Sequence, residues 1–589
     1  MSKRRPKDHL PKASGASAAR SSRRAFLAGS GAAALTAFGW RPIFKVASAR
    51  AATTAPPGFP SSIALYQQAF QNWAGEIQVD ALWTCAPKTP TDVVTIANWG
   101  KAYGYTIRPR GSMHNWSPLT IQPRSSLDKV LLVDTTQYLN TISVDPSSFP
   151  ATVTAQAGAM LIDILSALQD HGLGLVSIPA PGDISIAGAL AIDAHGAALP
   201  AVGETPIAGT SYGSLSNLVT SLTAVVWSAA QGQYVLKTFS RADGDLRAFL
   251  THLGRAFVTS VTLQAGANYR LRCQSWYNIP NAELFAPPGS LGRTFESYLA
   301  SAGRVEAIWF PFTNTPWLKV WTPAPSQPFL SRAVNAPYNY SFSDQSDPRF
   351  VSFLAQLVEG DTSGTPAFGG LLLSIVQTGL IFTGTWDIWG WSKDLLLYVR
   401  PTTLRVSEGG AAIITQRRNV QRVIHEFYSW YQARMLFYQL LGIYPMNGPV
   451  EIRCSGLDQP GDVLVPSAGS PQLSALRPVP GHPEWDTAVW LDALTIPNTP
   501  GSFQFYRDME QWMFSNYGSY ALVRPEWSKG WAYSATAAWS DADIISRRIP
   551  AAYNNGYPSN DNFDSARATL NSYDPARIFS NPFLDTLLP

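Results

Sequence analysis

The chain has 589 residues, of which 46% are hydrophobic, 12% aromatic and only 14% charged, against roughly 25% charged in an average soluble domain. Its net charge of +4 is unevenly placed: residues 1–50 hold 11 Lys/Arg and one acid, Asp8, leaving 33 basic and 39 acidic residues, about −6, in the remainder. The length accommodates two or more large cores, the composition excludes a disordered chain, and the acidic body gives no electrostatic footing for nucleic acid.

The basic leader reads SSRRAFLAGSGAAALTAFGW and then VASARA. Paired Arg23 and Arg24, a weakly apolar Ala/Gly run and the small residues Ala47-Ser48-Ala49 have the form of a twin-arginine signal peptide over residues 1–50. The expectation is an exported, extracytoplasmic protein that meets the twin-arginine machinery already folded, with any cofactor inserted beforehand. Cys85, Cys273 and Cys454 are few, odd in number and far apart. They fit buried thiols better than a disulfide framework or a zinc site.

In KTPTDVVTIANWGKAYG, Thr89 can cap a helix, Pro90 suits its first position and Asp92 its third. Val93, Ile96, Ala97 and Gly100 follow helical spacing, and Gly104 ends it. An extended YTIRPRG then leads into GSMHNWSP, so His114 follows a strand end, where binding loops are commonly placed. TVTAQAGAMLIDILSALQDHGLGL reads as a strand over 152–157 and a helix with Met160, Leu161, Ile164, Leu165 and Leu168 on one face, closed near Gly172. SIPAPGDISIAGALAIDAHGAALP, residues 177–200, is poor in bulky side chains. It suits either a ligand-cradling backbone or a tightly packed connector, and it lacks the G-x-G-x-x-G fingerprint. Further strands end near residue 265. From about 270 to 520 Trp, Phe and Pro become dense, a long helix is expected in ITQRRNVQRVIHEFYSWYQARMLFYQLLG, and FGGLLLSIVQTGLIF is too short to span a membrane and is expected to be a buried helix or pocket wall.

CAPKTPTDV, RPRGSMHNWSP, VTAQAGAMLIDILSALQDHGLGL, APGDISIAGALAIDAHG, YGSLSNLVTSLTAVV and FVTSVTLQ, in this order, resemble the FAD-binding domain of the vanillyl-alcohol oxidase superfamily over residues 80–265. GPVEIRCSGLD, VRPEWSKGW, the leader and the Trp-rich middle resemble the type II, covalently flavinylated cholesterol oxidases. The resemblance implies an α+β, two-domain architecture: an FAD-binding domain over 51–267, a substrate-binding domain over 268–520, and residues 521–589 returning to the first. It implies that His114 bonds to the flavin 8α-methyl carbon, within the loop Arg110, Gly111, Ser112, Met113, Asn115 and Trp116. A single bond is expected, since no cysteine lies between Cys85 and Cys273. The resemblance also places Pro181, Gly182, Asp183, Ile186, Gly188, Ala189, His195, Gly196 and Val258 at the cofactor. Relatives often carry paired glycines where this chain has Ala187-Gly188.

VEIRCS alternates as a strand does, so Glu451 and Arg453 share a face. By residue type the pair is a surface cross-link or a tunable acid. The resemblance places it at the flavin, with Glu451 as the base for a hydroxyl proton, Glu306 as a second, mobile acid at the cavity and Asn498 as a polar contact near the flavin. The implied activity is oxidation of the cholesterol 3β-hydroxyl, isomerisation to cholest-4-en-3-one and reduction of O₂ to H₂O₂, with transient contact to a membrane surface. A covalent-FAD sugar or aldonolactone oxidase and a non-catalytic secreted sterol-binding protein are the alternatives.

Overall fold

The computed structural model describes residues 54–589 apart from 124, 339, 341–347 and 402. The leader expected over residues 1–50 lies outside the described residues. Among these residues the strands form three sheets, of four, six and nine strands.

The first helix, Pro90–Tyr103, begins with a reciprocal capping box between Thr89 and Asp92 and ends on Gly104 at φ 69°. It sends Val93, Ile96 and Ala97 into a core with Ile107, Leu131, Val133 and Phe257, which fixes the strand Thr106–Arg110 and hence the start of the His114 loop. The second expected helix spans Leu161–Asp170, with Leu161, Ile164, Leu165 and Leu168 buried. Met160 stands just before it as the capping residue, not on its buried face. Residues 186–191 form a short helix between turns, Ile186–Ala191.

The nine-stranded sheet places the second half of the chain by simple alternation. Leu318 and Val320, Val305 and Ala307, Val450 and Ile452, and Val489 and Leu491 pack against Val420, Val423, Ile424 and Phe427 of the helix Val420–Leu440. Their alternates necessarily point to the other face. On adjacent strands these alternates are Lys319, Glu306, Arg453 and Trp490, with Glu451 and Asp492 one repeat further along. The long helix is shorter than its sequence pattern suggested, because Ile414 and Thr415 belong to the strand Ser407–Thr415.

The apolar run 368–382 lies in the helix Thr365–Thr383, which is long and apolar enough to cross a membrane but buries Phe368, Leu371, Leu372, Val376 and Leu380 in the molecule. All three cysteines are buried and free. The C-terminal segment packs on the first sheets: Ile107 N–H donates to Ile578 O at 2.7 Å, Asn581 Nδ2 to Pro118 O at 3.0 Å, and Arg255 pairs with Asp574 at 2.9 Å.

Candidate active site

One cleft collects side chains from Trp73 through Lys529. With the open solvent at its mouth included, it encloses about 2140 Å³ of empty space. Small residues and backbone of 108–116, 179–181 and 187–195 form one wall; Phe310, Phe350, Leu372 and Leu494 give an apolar stretch; Glu408, Glu451, Arg453, Glu526 and Lys529 supply charge.

The His114 loop is held from outside. Trp73 N–H donates to Asn115 O at 3.0 Å, Trp116 N–H to Ser528 O at 2.8 Å, and Ser117 Oγ to Trp527 O at 2.8 Å. Trp116 Nε1 donates to Val406 O at 2.6 Å, and Arg110 pairs with Asp134 at 2.7 Å. Met113 adopts a left-handed φ of 57°. The backbone N–H groups of residues 112–115 find no acceptor among the described residues. Successive free amides at a strand-to-loop junction suit a phosphate. Gly111 sits so close to Ser185 that a Cβ would fall 2.0 Å from its Oγ, so the wall is shaped for close approach. This free-amide wall beside the cleft fits FAD. The His114 ring lies 3.8 Å from that of Trp73. Burial, then the Lys529 and Arg405 cations, lower its pKa to about 3, so the imidazole is neutral and its free nitrogen is nucleophilic.

At the charged end, Arg453 hydrogen-bonds to Asp492 and lies 3.6 Å from Glu451 Oε2. Burial raises Glu451 to about 7, with Arg453 opposing and Glu306 and Glu408 adding to the rise. Asp492 is pushed well above the carboxylate range by burial and by Glu526. Lys529 Nζ is 2.5 Å from Glu408, 3.9 Å from Glu526 and 4.2 Å over the Trp116 ring. Burial works against the charge of Glu526, but Lys529 and His195 hold its pKa low. His195 stacks on Trp490 at 3.7 Å and reaches Glu526 at 3.6 Å. A carboxyl near pH 7 beside a fixed cation is the equipment of a general base.

Of the residues expected at the site, Arg110, Gly111, Ser112, Met113, His114, Asn115, Trp116, Pro181, Gly188, Ala189, His195, Val258, Glu451 and Arg453 line this cleft. Ala187 lines it as well, so the methyl group there is accommodated. Asp183 lines a smaller neighbouring cavity with Trp73, Arg400 and Arg405. Gly182, Ile186 and Gly196 lie behind the wall: Gly182 packs on Leu397 and Ile162, Gly196 on Ile178, and Ile186 is fully buried in the core. Two expectations are corrected. Glu306 does not line the cavity: it is completely buried, with Lys319 at 3.0 Å and the Tyr398 hydroxyl at 2.6 Å from each oxygen. Asn498 is an exposed turn residue at φ 64°, away from the cleft.

Glu408, Asp492, Tyr398 and Lys319 were missed. The signal for three of them was a charge inside an otherwise apolar strand, as in WLKVW, VSEGG and TAVWLDALT. Glu526 and Lys529 lay within the quoted VRPEWSKGW without a role.

Two family models match the chain: an FAD binding domain over residues 82–229 and "Cholesterol oxidase, substrate-binding" over 270–589. No curated protein matches significantly. Among solved structures, a solvent-stable cholesterol oxidase is 54% identical with a TM-score of 0.90, covering 91% of this chain and 100% of its own. Cholesterol oxidase from Brevibacterium sterolicum is 52% identical with a TM-score of 0.89, covering 91% and 99%. A histidine-to-alanine variant of the latter matches equally, at 52% and 0.89 with the same coverage. With its cleft, its FAD-binding half and more than half its length accounted for by these matches, the chain belongs to the FAD-dependent cholesterol oxidases.

Proposed function

We propose that the protein is an exported sterol oxidase with FAD bonded covalently to His114. It would convert the 3β-hydroxyl of cholesterol to a ketone, shift the double bond to give cholest-4-en-3-one and release H₂O₂. The observation that carries this reading is Glu451, a carboxyl with a pKa near 7 on the wall of the same cleft that holds the His114 loop.

FAD held by the His114 loop and the 187–195 wall would supply a hydride acceptor for the alcohol carbon and a route for the electrons to O₂. The chain supplies the rest. The ionised Glu451 carboxylate takes the hydroxyl proton while Arg453 steadies its charge. Once that proton has left with the two electrons that turn O₂ into H₂O₂, the ionised Glu451 also carries the isomerisation, taking the proton from C4 and returning it at C6, because Glu306 lies behind the wall. Phe310, Phe350, Leu372 and Leu494 give a rigid four-ring substrate an apolar bed. Exposed Phe329, Leu330, Ile381 and Phe382 support transient contact with a membrane surface. Export by the twin-arginine route rests on Arg23, Arg24 and the small-residue ending of the leader.

Two measurements test the reading. Acid precipitation should leave yellow flavin in the pellet; flavin released to the supernatant would remove the covalent link. Turnover on cholesterol should exceed turnover on aldonolactones; the reverse order would replace the sterol by a sugar-type substrate, and a protein without flavin would favour a binding role.

A further inference from the structure

Behind the cleft wall lies a lysine with no route to water. Lys319 is mid-strand in Trp317–Pro323 and completely buried. Its ammonium is 3.0 Å from Glu306 Oε2 and sits in an aromatic box. The Tyr398 ring centre is 3.0 Å away, that of Trp321 4.8 Å, and those of Trp317 and Tyr340 5.1 Å each. Burying a cation is costly unless it is paired and its charge is met by oriented dipoles or ring faces. Such an arrangement, built with five side chains, is more than a core needs for packing.

Strand register shows what the lysine serves. Lys319 stands directly opposite Glu306, and Glu306 directly opposite Arg453. Three neighbouring strands thus carry plus, minus, plus in one row on the cleft-side face. Arg453 has four carboxyl groups within its influence: Asp492, Glu451, Glu526 and Glu306. One guanidinium cannot serve all of them. We propose that Lys319 is a positioning residue of the reaction: it neutralises Glu306 and so leaves Arg453 to Glu451 and Asp492 at the cleft. The inference rests on reading Glu451 as the base, but its geometry does not depend on that role.

The other groups acting on Glu451 are Glu408 and Lys529, with Glu526 acting through Arg453. None of them touches Lys319, whose charge reaches Glu451 directly as well as through the row. Burial raises the Glu306 pKa, yet Lys319, Arg453 and Tyr398 together hold it below the ordinary value. Removing the lysine leaves Arg453 and Tyr398 as the groups that hold Glu306 against burial, so Glu306 draws on Arg453.

The test is an infrared pH titration of the resting, oxidised holoenzyme, reading the Glu451 carboxyl band identified by its loss in Glu451→Gln. Lys319→Met should raise the Glu451 midpoint by about one pH unit. Glu306→Gln should lower it, and Lys319→Met/Glu306→Gln should return it to the wild-type value. An unmoved midpoint in Lys319→Met, or a double variant that does not restore it, overturns the proposal. A lysine that only fills space would lower stability and leave the midpoint alone. If Lys319→Met does not fold, Glu306→Gln decides alone, and an unchanged midpoint there is equally fatal. No substrate is present, so the titration is separate from the base assignment. Unimpaired sterol oxidation by Glu451→Gln would remove Glu451 as base without moving these midpoints.

Discussion

Glu451 and Asp492 stand directly opposite one another on neighbouring strands, and a single guanidinium, Arg453, serves both. Two like charges in register on a buried face are unfavourable. The conflict is resolved by a proton. Burial, with Glu526 adding to it, drives Asp492 well above the carboxylate range, so Asp492 keeps its hydrogen while Glu451 titrates near 7. The strand pair therefore presents one neutral carboxylic acid and one usable base.

Sterol-dependent flavin reduction should accordingly rise with pH through about 7, as the Glu451 carboxyl loses its proton. Glu451→Gln should slow that step by about 10²–10⁴-fold with flavin content unchanged. Asp492→Asn mimics the protonated acid and should leave the pH midpoint nearly where it is. Anaerobic stopped-flow reduction across a pH series measures all three.

His114→Ala should fold and bind flavin but release it on acid precipitation. The loop does not depend on the imidazole for its shape, because it is fixed by backbone bonds from Trp73 and to Ser528. The imidazole is neutral across the ordinary pH range, its pKa lowered to about 3 by burial and the Lys529 and Arg405 cations. Flavin attachment to the wild-type chain should therefore not need an alkaline medium. Absorbance of pellet and supernatant after precipitation reads the outcome.

Gly111→Ala should impair cofactor loading. The added methyl would lie 2.0 Å from Ser185 Oγ, and relieving such overpacking costs about 1–3 kcal/mol, or roughly tenfold to a hundredfold in affinity if the loop moves to relieve it. Ser185→Ala should restore part of the loss, since Oγ is the nearest atom. Flavin-to-protein absorbance ratios of the two variants and the double variant make the comparison.

Much of this site is legible in the sequence. Thr89, Asp92 and Gly104 announce a capped helix by local chemistry alone, and Glu451 and Arg453 share a face because strands alternate. The His114 loop was found by its residues and its family resemblance. What could not be read was which partner each charge meets. Glu306 looked like an accessible acid because nothing local reveals that Lys319 and Tyr398, 13 and 92 residues away, close over it. Asn498 failed for the opposite reason: a left-handed turn suits asparagine on conformational grounds, and that local signal was mistaken for a site.

The C-terminal return should prove essential to stability. Asp574 accepts from Arg255 at 2.9 Å, from Tyr234 Oη at 2.6 Å and from the Ile578 and Phe579 amides at 3.0 Å each. Arg255 and Asp574 are fully enclosed. Asp574→Ala leaves the buried Arg255 guanidinium without its counter-charge, though still bonded to Asn571 Oδ1, and two amides without their acceptor, and should cost about 3–5 kcal/mol, read as a shifted denaturant midpoint.

Asp193 adds a pH dependence of opposite sense to the usual carboxylate. Its Oδ2 accepts from Ser474 Oγ at 2.7 Å, and the same hydroxyl lies 2.5 Å from Asp458, so two buried carboxyl groups contend for one hydroxyl proton. Burial, then Asp458, raises Asp193 to about 7. A group with its folded pKa above the unfolded value, about 3.9, stabilises fully below that value and loses its contribution as pH rises through the folded one. Between about pH 4 and pH 7 this group therefore works against the fold progressively. Asp193→Asn, which keeps the shape without the titration, should flatten the fall in unfolding temperature across that window. A slope identical to that of the wild type would assign the pH dependence to other carboxylates.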